Sequence, residues 1–166
     1  MRRDASGRFE LGLALVGLGR AAADRVPVAA AARPTMEALR DRTCESVQLY
    51  VREGDGRRCV VSLESTHGLR WIVPEGALLP LDRGSAGRLL ADARVTSRRL
   101  TDWVESVEER EKGVASVSSP VLDRSGSVVA ALSVSGPVER LSRSPGKRFG
   151  KLLVAASAEI SERLAR

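Results

Sequence analysis

The sequence predicts an α+β domain in which a six-stranded, mainly antiparallel sheet is flanked by helices. Apolar residues recur at helical spacing near both ends of the chain, whereas the middle contains short Val-rich runs typical of strands. Tight turns join several of these runs, which favours antiparallel pairing over crossover connections. With 166 residues, the chain is long enough for one domain with its own core.

Four helices are predicted, with an element order of αα–βββ–α–βββ–α. They cover residues 10–25, 28–42, 84–90 and 146–166. Pro34 lies inside the second helix and should kink it or delay its start. Gly84 or Ser85 is the expected N-cap of the third helix. Residues 1–8 are polar and read as a linker, so the expected domain covers 9–166, including the helix at 10–25.

Six strands are predicted between these helices. They cover residues 46–52, 58–64, 69–73 and 103–107, with two more in the segment 113–137. The first two are joined by the turn Glu53-Gly54-Asp55-Gly56. Residues 75–83 are expected to form a loop, and residues 91–101 a polar connection.

The segment 113–137, GVASVSSPVLDRSGSVVAALSVSGP, is predicted to be a hairpin that turns at Asp123-Arg124-Ser125-Gly126. If Asp123 pairs with Gly126, the register places Ser116 opposite Ser133, Ser118 opposite Ala131 and Val114 opposite Ser135.

Alternation along both hairpin strands then brings four hydroxyls to one face of the sheet. They belong to Ser116, Ser118, Ser133 and Ser135. Two interpretations stay open from the residues alone, a wet edge hairpin or the floor of a small polar pocket. A register slip of one residue would turn the serines away from each other.

The charge pattern disfavours direct nucleic-acid binding by this chain. The formal net charge is +6, but the arginines are spread along the chain with acids between them. The apolar segment 11–18 is broken by Gly12 and Gly17, so no secretory signal or membrane span is expected. The cytoplasm is the predicted location.

Few residues offer catalytic or metal chemistry. The only histidine is His67, and the sequence has no nucleophile elbow, no phosphate-binding glycine loop and no metal-ligand spacing. Cys44 and Cys59 form no CxxC pair and are predicted to be buried, reduced thiols. We therefore expect no enzyme activity, cofactor or metal; a small enzyme using His67 is the remaining alternative.

The residues fit a binding site better than a catalytic or metal site. Backbone N–H groups of Ser85, Ala86 and Gly87 at a helix start can hold a carboxylate, and the hairpin serines can supply more donors. Trp71 and Leu69 can form an apolar wall, or they can belong to the core or to a dimer surface.

A set of motifs then resembles one known family. In order they are FELG (9–12), RP (33–34), ES (64–65), LPL (79–81), GSAGR (84–88), GVASVSSPVLD (113–123) and AALSVSGP (130–137). Together they resemble the effector-binding domain of IclR-type bacterial transcriptional regulators, over nearly the whole chain.

This resemblance implies a GAF/profilin-like fold with a pocket for a small effector, often an organic acid. The family's pocket positions fall on Gly68, Trp71, Ser85, Ala86, Ser106, Val114, Ser116, Ser133 and Ser135. Ser106 stands where a relative can carry an acid, and Trp71 where a smaller apolar residue can stand. Both differences bear on which effector is bound.

The resemblance also implies partners. Such regulators form homodimers or tetramers and bind DNA through an N-terminal winged helix-turn-helix, of which residues 3–9 resemble the end of the wing. We expect this chain to lack that domain, so DNA would be bound only through the absent part. The connection at 91–102 is shorter than usual for the family. The alternative function is a structural dimerisation domain with a vestigial pocket and no ligand.

Overall fold

A six-stranded antiparallel sheet forms the centre of the fold. The computed structural model describes residues 2–3, 7–10, 12–23, 26–91 and 103–165. In chain order the elements are β1 (Arg2–Arg3), β2 (Phe9–Glu10), α1 (Ala14–Ala23), α2 (Pro27–Thr43), β3 (Ser46–Glu53), β4 (Gly56–Leu63), β5 (Leu78–Pro80), α3 (Ser85–Ala91), β6 (Val104–Val107), β7 (Val114–Leu122), β8 (Val128–Pro137), α4 (Val138–Leu141) and α5 (Pro145–Leu164). The strand order in the main sheet is β5-β4-β3-β8-β7-β6, and each neighbouring pair is antiparallel. The predicted α+β class is confirmed.

The two faces of the sheet have different chemistry. Helices α2 and α5 cover one face, where alternate strand residues are apolar. Fully buried members of this core are Met36, Val47, Leu49, Val61, Val117, Leu132, Val134, Leu153 and Ile160. The opposite face carries polar side chains and is covered by α3 and the segment that follows β4. The candidate site lies on this second face.

The N-terminal region differs from the prediction. Helix α1 begins at Ala14, not at residue 10, because Phe9 and Glu10 pair with Arg3 and Arg2 in a two-stranded sheet. This pairing joins the predicted linker to the predicted domain, and the boundary at residue 8 stays a prediction. Residues 24 and 25, the predicted end of this helix, lie outside the described residues, as do residues 92–102 of the predicted polar connection.

Helix α2 passes through Pro34 without a break in the assigned helix, and it begins earlier, at Pro27. The prediction of a late start is therefore wrong. Pro27 suits the first turn of α2, because an N–H group at that position would have no partner within the helix. The buried stripe of Val28, Ala32, Met36 and Leu39 packs into the core, which favours one continuous helix.

The prediction of the third strand is also wrong. Residues 69–73 form no strand, and the edge strand is β5, in the segment predicted to be a loop. Leu69 and Ile72 are 75% and 47% exposed and only Val73 is buried, so the apolar residues of this segment do not form the buried face of a strand. Gly56 permits the β5 pairing, because a Cβ there would lie 2.9 Å from Leu78 Cδ1. Pro80 is tolerated because it ends an edge strand.

The β7–β8 hairpin has a register two residues from the predicted one. Ser116 pairs with Ser135, Ser118 with Ser133, and Val114 with Pro137. The turn closes with the Asp123 N–H donating to the Ser127 carbonyl, at 2.9 Å, and a bulge between Val121 and Leu122 adds a second offset. Because the total shift is even, every side chain stays on its predicted face.

Gly150 in α5 is required by a close contact with Trp103. A Cβ at residue 150 would overlap the Trp103 indole. We expect Gly150→Ala to lower the free energy of unfolding by about 1–3 kcal/mol, measured by urea denaturation, because overpacking outweighs the better helix propensity of alanine. Gly17→Ala is the matched control, since a Cβ there meets nothing within 4 Å. A Gly150→Ala protein as stable as wild type would contradict this packing.

The Asp123 carboxylate stabilises the hairpin turn. Its Oδ1 accepts hydrogen bonds from the Ser125 hydroxyl at 2.7 Å and from the Ser125 and Ser127 N–H groups at 2.8 and 2.9 Å. The Ser125 hydroxyl, and then the backbone donors, lower the pKa of Asp123 below its ordinary 3.8. Its stabilisation is therefore complete above that value and is lost as the pH falls through the lowered pKa.

We expect Asp123→Ala to lower the melting temperature at pH 7 by a few degrees, and the difference from wild type to shrink below about pH 4. Thermal unfolding followed by circular dichroism across this pH range measures it. Arg124→Ala, at the neighbouring exposed position, is the control. A difference that stays constant down to pH 2 would show that the carboxylate charge is not involved.

Candidate functional site

Two rows of polar side chains cross the sheet on the face opposite α2 and α5. In the first row, Ser46, Ser135, Ser116 and Ser106 are neighbours on β3, β8, β7 and β6. In the second row, Gln48, Ser133 and Ser118 are neighbours on β3, β8 and β7. The sheet therefore presents a continuous polar floor to the element above it.

Ser85, the first residue of α3, connects this helix to the floor. Its Oγ lies 2.7 Å from Ser116 Oγ and 2.8 Å from Ser118 Oγ. Ser85 is buried, and its hydroxyl faces the sheet and makes no cap for α3. Of the two predicted N-cap residues, the structure therefore favours Gly84, which precedes the helix at φ +80° and accepts a hydrogen bond from the Arg88 N–H at 3.1 Å.

A small cavity lies between α3 and the polar floor. Its free volume is about 30 Å³, which is room for one or two water molecules. The lining residues are Tyr50, Arg57, Trp71, Gly84, Ser85, Ala86, Ser106, Arg110, Val114, Ser116, Ser133 and Ser135. Eight of the nine predicted site residues are therefore brought together around one space. Their role in binding an effector stays a prediction.

Gly68 is the predicted site residue that does not line this cavity. It lies on an exposed part of the segment between β4 and β5. The predicted strand that would follow Gly68, at residues 69–73, is absent, and the role of Gly68 as a pocket residue stays a prediction. Trp71 does reach the cavity, and its carbonyl accepts a hydrogen bond from Ser46 Oγ at 2.7 Å.

Four lining residues were missed by the sequence reasoning, namely Tyr50, Arg57, Gly84 and Arg110. Alternation from Cys59, a buried residue, would have placed Arg57 on the same face of β4. Arg110 lies in the turn between β6 and β7, where no periodic pattern indicates its direction.

Arg57 is an unusual residue for a strand interior. It is 1% exposed, its Nη1 donates to the carbonyls of Pro80 and Arg83, and its Nε has no hydrogen-bond partner among the described residues. Burial lowers the pKa of Arg57. The guanidinium also lies 5.4 Å from the centre of the Tyr50 ring, a cation–π contact.

Arg110 supplies a second cation to the cavity wall. Its guanidinium lies 5.3 Å from the centre of the Trp71 ring. No acidic side chain is among the cavity-lining residues, and no ion pair among the described residues includes Arg57 or Arg110. The cavity is therefore electropositive and polar, a combination that suits a small anion.

The start of α3 is a weaker anion site than predicted. The Gly84 N–H, next to the three predicted donors, donates to Glu109 Oε2 at 3.0 Å, so a carboxylate of the protein already lies beside this position. Helix α3 is also only seven residues long. The arginines, and not the helix start, are the stronger source of positive charge.

His67, Cys44 and Cys59 lie outside the lining of this cavity. No group of three or more His, Cys, Asp or Glu residues there could hold a metal ion. His67 lies on an exposed loop. Cys59 is buried, and burial raises the pKa of its thiol to about 12, whereas Cys44 is only half-buried. Among the described helices, none is both long and apolar enough to cross a membrane.

The family model for the C-terminal domain of the bacterial transcriptional regulator IclR matches residues 20–99 and 92–162 of this chain. The HTH-type transcriptional regulator KipR of Bacillus subtilis is 25% identical over 195 aligned positions, covering 99% of this chain and 78% of KipR. The Pca regulon regulatory protein of Pseudomonas putida is 29% identical, covering 89% of this chain and 62% of that protein.

The solved structures agree with this relationship. A transcriptional regulator of the IclR family from Rhodococcus sp. superposes with a TM-score of 0.70 and 28% identity, covering 97% of this chain and 73% of that one. The family model, in turn, spans most of the sheet and the helices that surround the cavity. The chain therefore belongs to the IclR family of bacterial transcriptional regulators and corresponds to their C-terminal effector-binding domain.

Proposed function

We propose that this domain senses a small organic acid and dimerises within a cytoplasmic IclR-type regulator, whose DNA contacts are made by a separate winged helix-turn-helix domain. The observation that carries the proposal is the electropositive cavity between Ser85 and the two polar rows of the sheet. Hydrogen bonds from hydroxyls and cations to a carboxylate each contribute about 1.5–3 kcal/mol net. Three or four of them support micromolar to millimolar affinity, which suits a metabolite sensor.

A structural dimerisation domain with a vestigial pocket is the second candidate. The free volume of about 30 Å³ favours it, because only one or two water molecules fit without a change of the walls. The two candidates differ in one measurable property, the binding of a ligand in the cavity.

We expect at least one compact organic acid to raise the melting temperature, measured by differential scanning fluorimetry against a panel of sodium carboxylates at matched ionic strength. Saturation at one hundred times the Kd stabilises the folded state by about 2.7 kcal/mol. Ser133→Val should weaken binding about tenfold, because the buried hydroxyl is lost from the floor. Ser127→Val, at an exposed position after the turn, is the control. If no acid stabilises the protein, the vestigial pocket is the better interpretation.

Dimerisation is assigned to the apolar surface of α1. Leu15, Val16 and Leu18 on this helix are 46–66% exposed, and Leu13, directly before it, is 87% exposed. A cluster of exposed apolar side chains of this kind is typical of an interaction surface. We expect Leu18→Glu to shift the protein toward the monomer in sedimentation velocity. Ala155→Glu, which adds the same charge to an exposed position on α5, should leave the distribution unchanged. A wild-type protein that sediments as a monomer at high concentration would contradict this assignment.

A further inference from the structure

We propose that Arg57 and Arg110 bind the charged group of the ligand, with Arg57 as the fixed partner and Arg110 as a partner released from Trp71. This inference rests on the proposed function and names two residues that neither the sequence motifs nor the family pattern indicates. It moves the recognition of charge from the backbone N–H groups of α3 to two arginine side chains in the cavity wall.

The fixed role of Arg57 follows from its contacts. Two carbonyls, of Pro80 and Arg83, accept hydrogen bonds from Nη1 and hold the guanidinium between β5 and the start of α3. Gly84 and Gly87 leave room for it, because a Cβ at either position would meet its Nη2 or Nη1 atom. The side chain cannot turn away from the cavity without losing these contacts.

The Nε atom of this guanidinium is closed off from water, so a ligand reaches it only when part of the cavity wall moves. Nε is buried and has no partner among the described residues, and Arg57 lines the cavity. An unpaired buried donor on a charged group costs free energy that a carboxylate oxygen would recover. Arginine binds carboxylates with two parallel N–H···O bonds, and the unused Nε side offers that geometry.

Arg110 is an independent observation that points to the same ligand. Its side chain is half-buried in the same wall. The guanidinium lies 5.3 Å from the centre of the Trp71 ring and also contacts Tyr50. Burial is the main cause of the lowered pKa of Arg57, and the nearby positive charge of Arg110 lowers it further. Two cations that disfavour each other, without an acidic partner in the lining, are both stabilised by one bound anion.

A purely structural Arg57 would explain the clamp on β5 but not Arg110. The β5 clamp uses only Nη1. Arg110 makes no recorded hydrogen bond to either carbonyl and lies over Trp71 instead. The clamp therefore does not explain why both Arg57 and Arg110 line the same cavity. Binding of an anionic ligand explains it.

Because the cavity is small, Trp71 and its contact with Arg110 must change when a ligand binds. Because only about 30 Å³ is open, a carboxylate larger than a water pair displaces part of the wall. The Trp71–Arg110 pair is the part that a ligand can compete with directly, since a carboxylate attracts the guanidinium more strongly than an aromatic face does. Leu69 and Ile72 beside Trp71 are exposed, so this segment is held mainly by Val73, which is buried, and by the hydrogen bond between Ser46 and the Trp71 carbonyl.

The test compares acids with neutral isosteres on the whole chain. The probes are acetate against acetamide and malonate against malonamide, up to 100 mM with ionic strength held by sodium chloride. Two readouts are followed, the melting temperature and the tryptophan emission. Trp71→Phe identifies the part of the emission change that comes from Trp71, because Trp103 remains.

We expect the acids to bind wild type at least about tenfold more tightly than the amides and to change Trp71 emission. Arg110→Gln should abolish that preference, and Arg110→Lys should restore part of it. Arg57→Gln should weaken acid binding by about tenfold or more; if this variant is unfolded, Arg57→Lys, which keeps the charge and loses the paired donors, replaces it. Arg163→Gln, on an exposed side chain of α5 paired with Glu159, is the matched control.

Three outcomes overturn the inference. If the amides bind as tightly as the acids and Ser133→Val weakens both, the cavity is a binding site but the arginines do not select charge. If Arg110→Gln and the folded Arg57 variant keep the acid preference, the charge is recognised elsewhere. If neither acid nor amide binds wild type, both this inference and the proposed function fail.

Discussion

Strict alternation along β3, β7 and β8 is the constraint on which the rest of the molecule depends. Odd-numbered residues of the β7 strand, such as Val117, face α2 and α5, whereas Ser116 and Ser118 face α3. A shift of one residue would place hydroxyls in the apolar core and valines under Ser85. The bulge and the longer turn of this hairpin together shift the register by two, which preserves both faces.

Burying the polar face of the sheet costs free energy of folding, and this cost indicates that the face has a function. Ser85, Ser116 and Ser118 satisfy one another, and Ser135 donates to Gln48 Oε1 at 2.7 Å. Gln48 Nε2 and Arg57 Nε, however, are buried without a partner among the described residues. Each such donor costs about 1–3 kcal/mol, and an apolar face of the same shape would avoid it. A face selected only for stability would therefore not be built this way.

The sequence predicts the alternating features of the fold well and the single contacts poorly. The hairpin, both long helices and the shared face of its serines follow from periodicity and turn chemistry. Strand β5 could not be predicted, because its three residues pair at an edge permitted by Gly56, a tertiary effect. The burial of Arg57 is a tertiary effect of the same kind. Alternation from Cys59 indicates the face of β4 on which Arg57 lies, but not that the start of α3 covers it.

Strand β4 links the cavity to the N-terminal helix. Arg57 lines the cavity, whereas Arg58 and Val60 line a groove on the other side of the strand, which Gly19 and Ala22 of α1 also border. Consecutive residues of one strand thus line the cavity and the groove beside α1. A coupling between two sites requires an element whose contacts differ between ligand-free and ligand-bound states. Arg57 ties β4 to the carbonyls of Pro80 and Arg83, so the side chain that lines the cavity also fixes the packing of the strand that lines the groove.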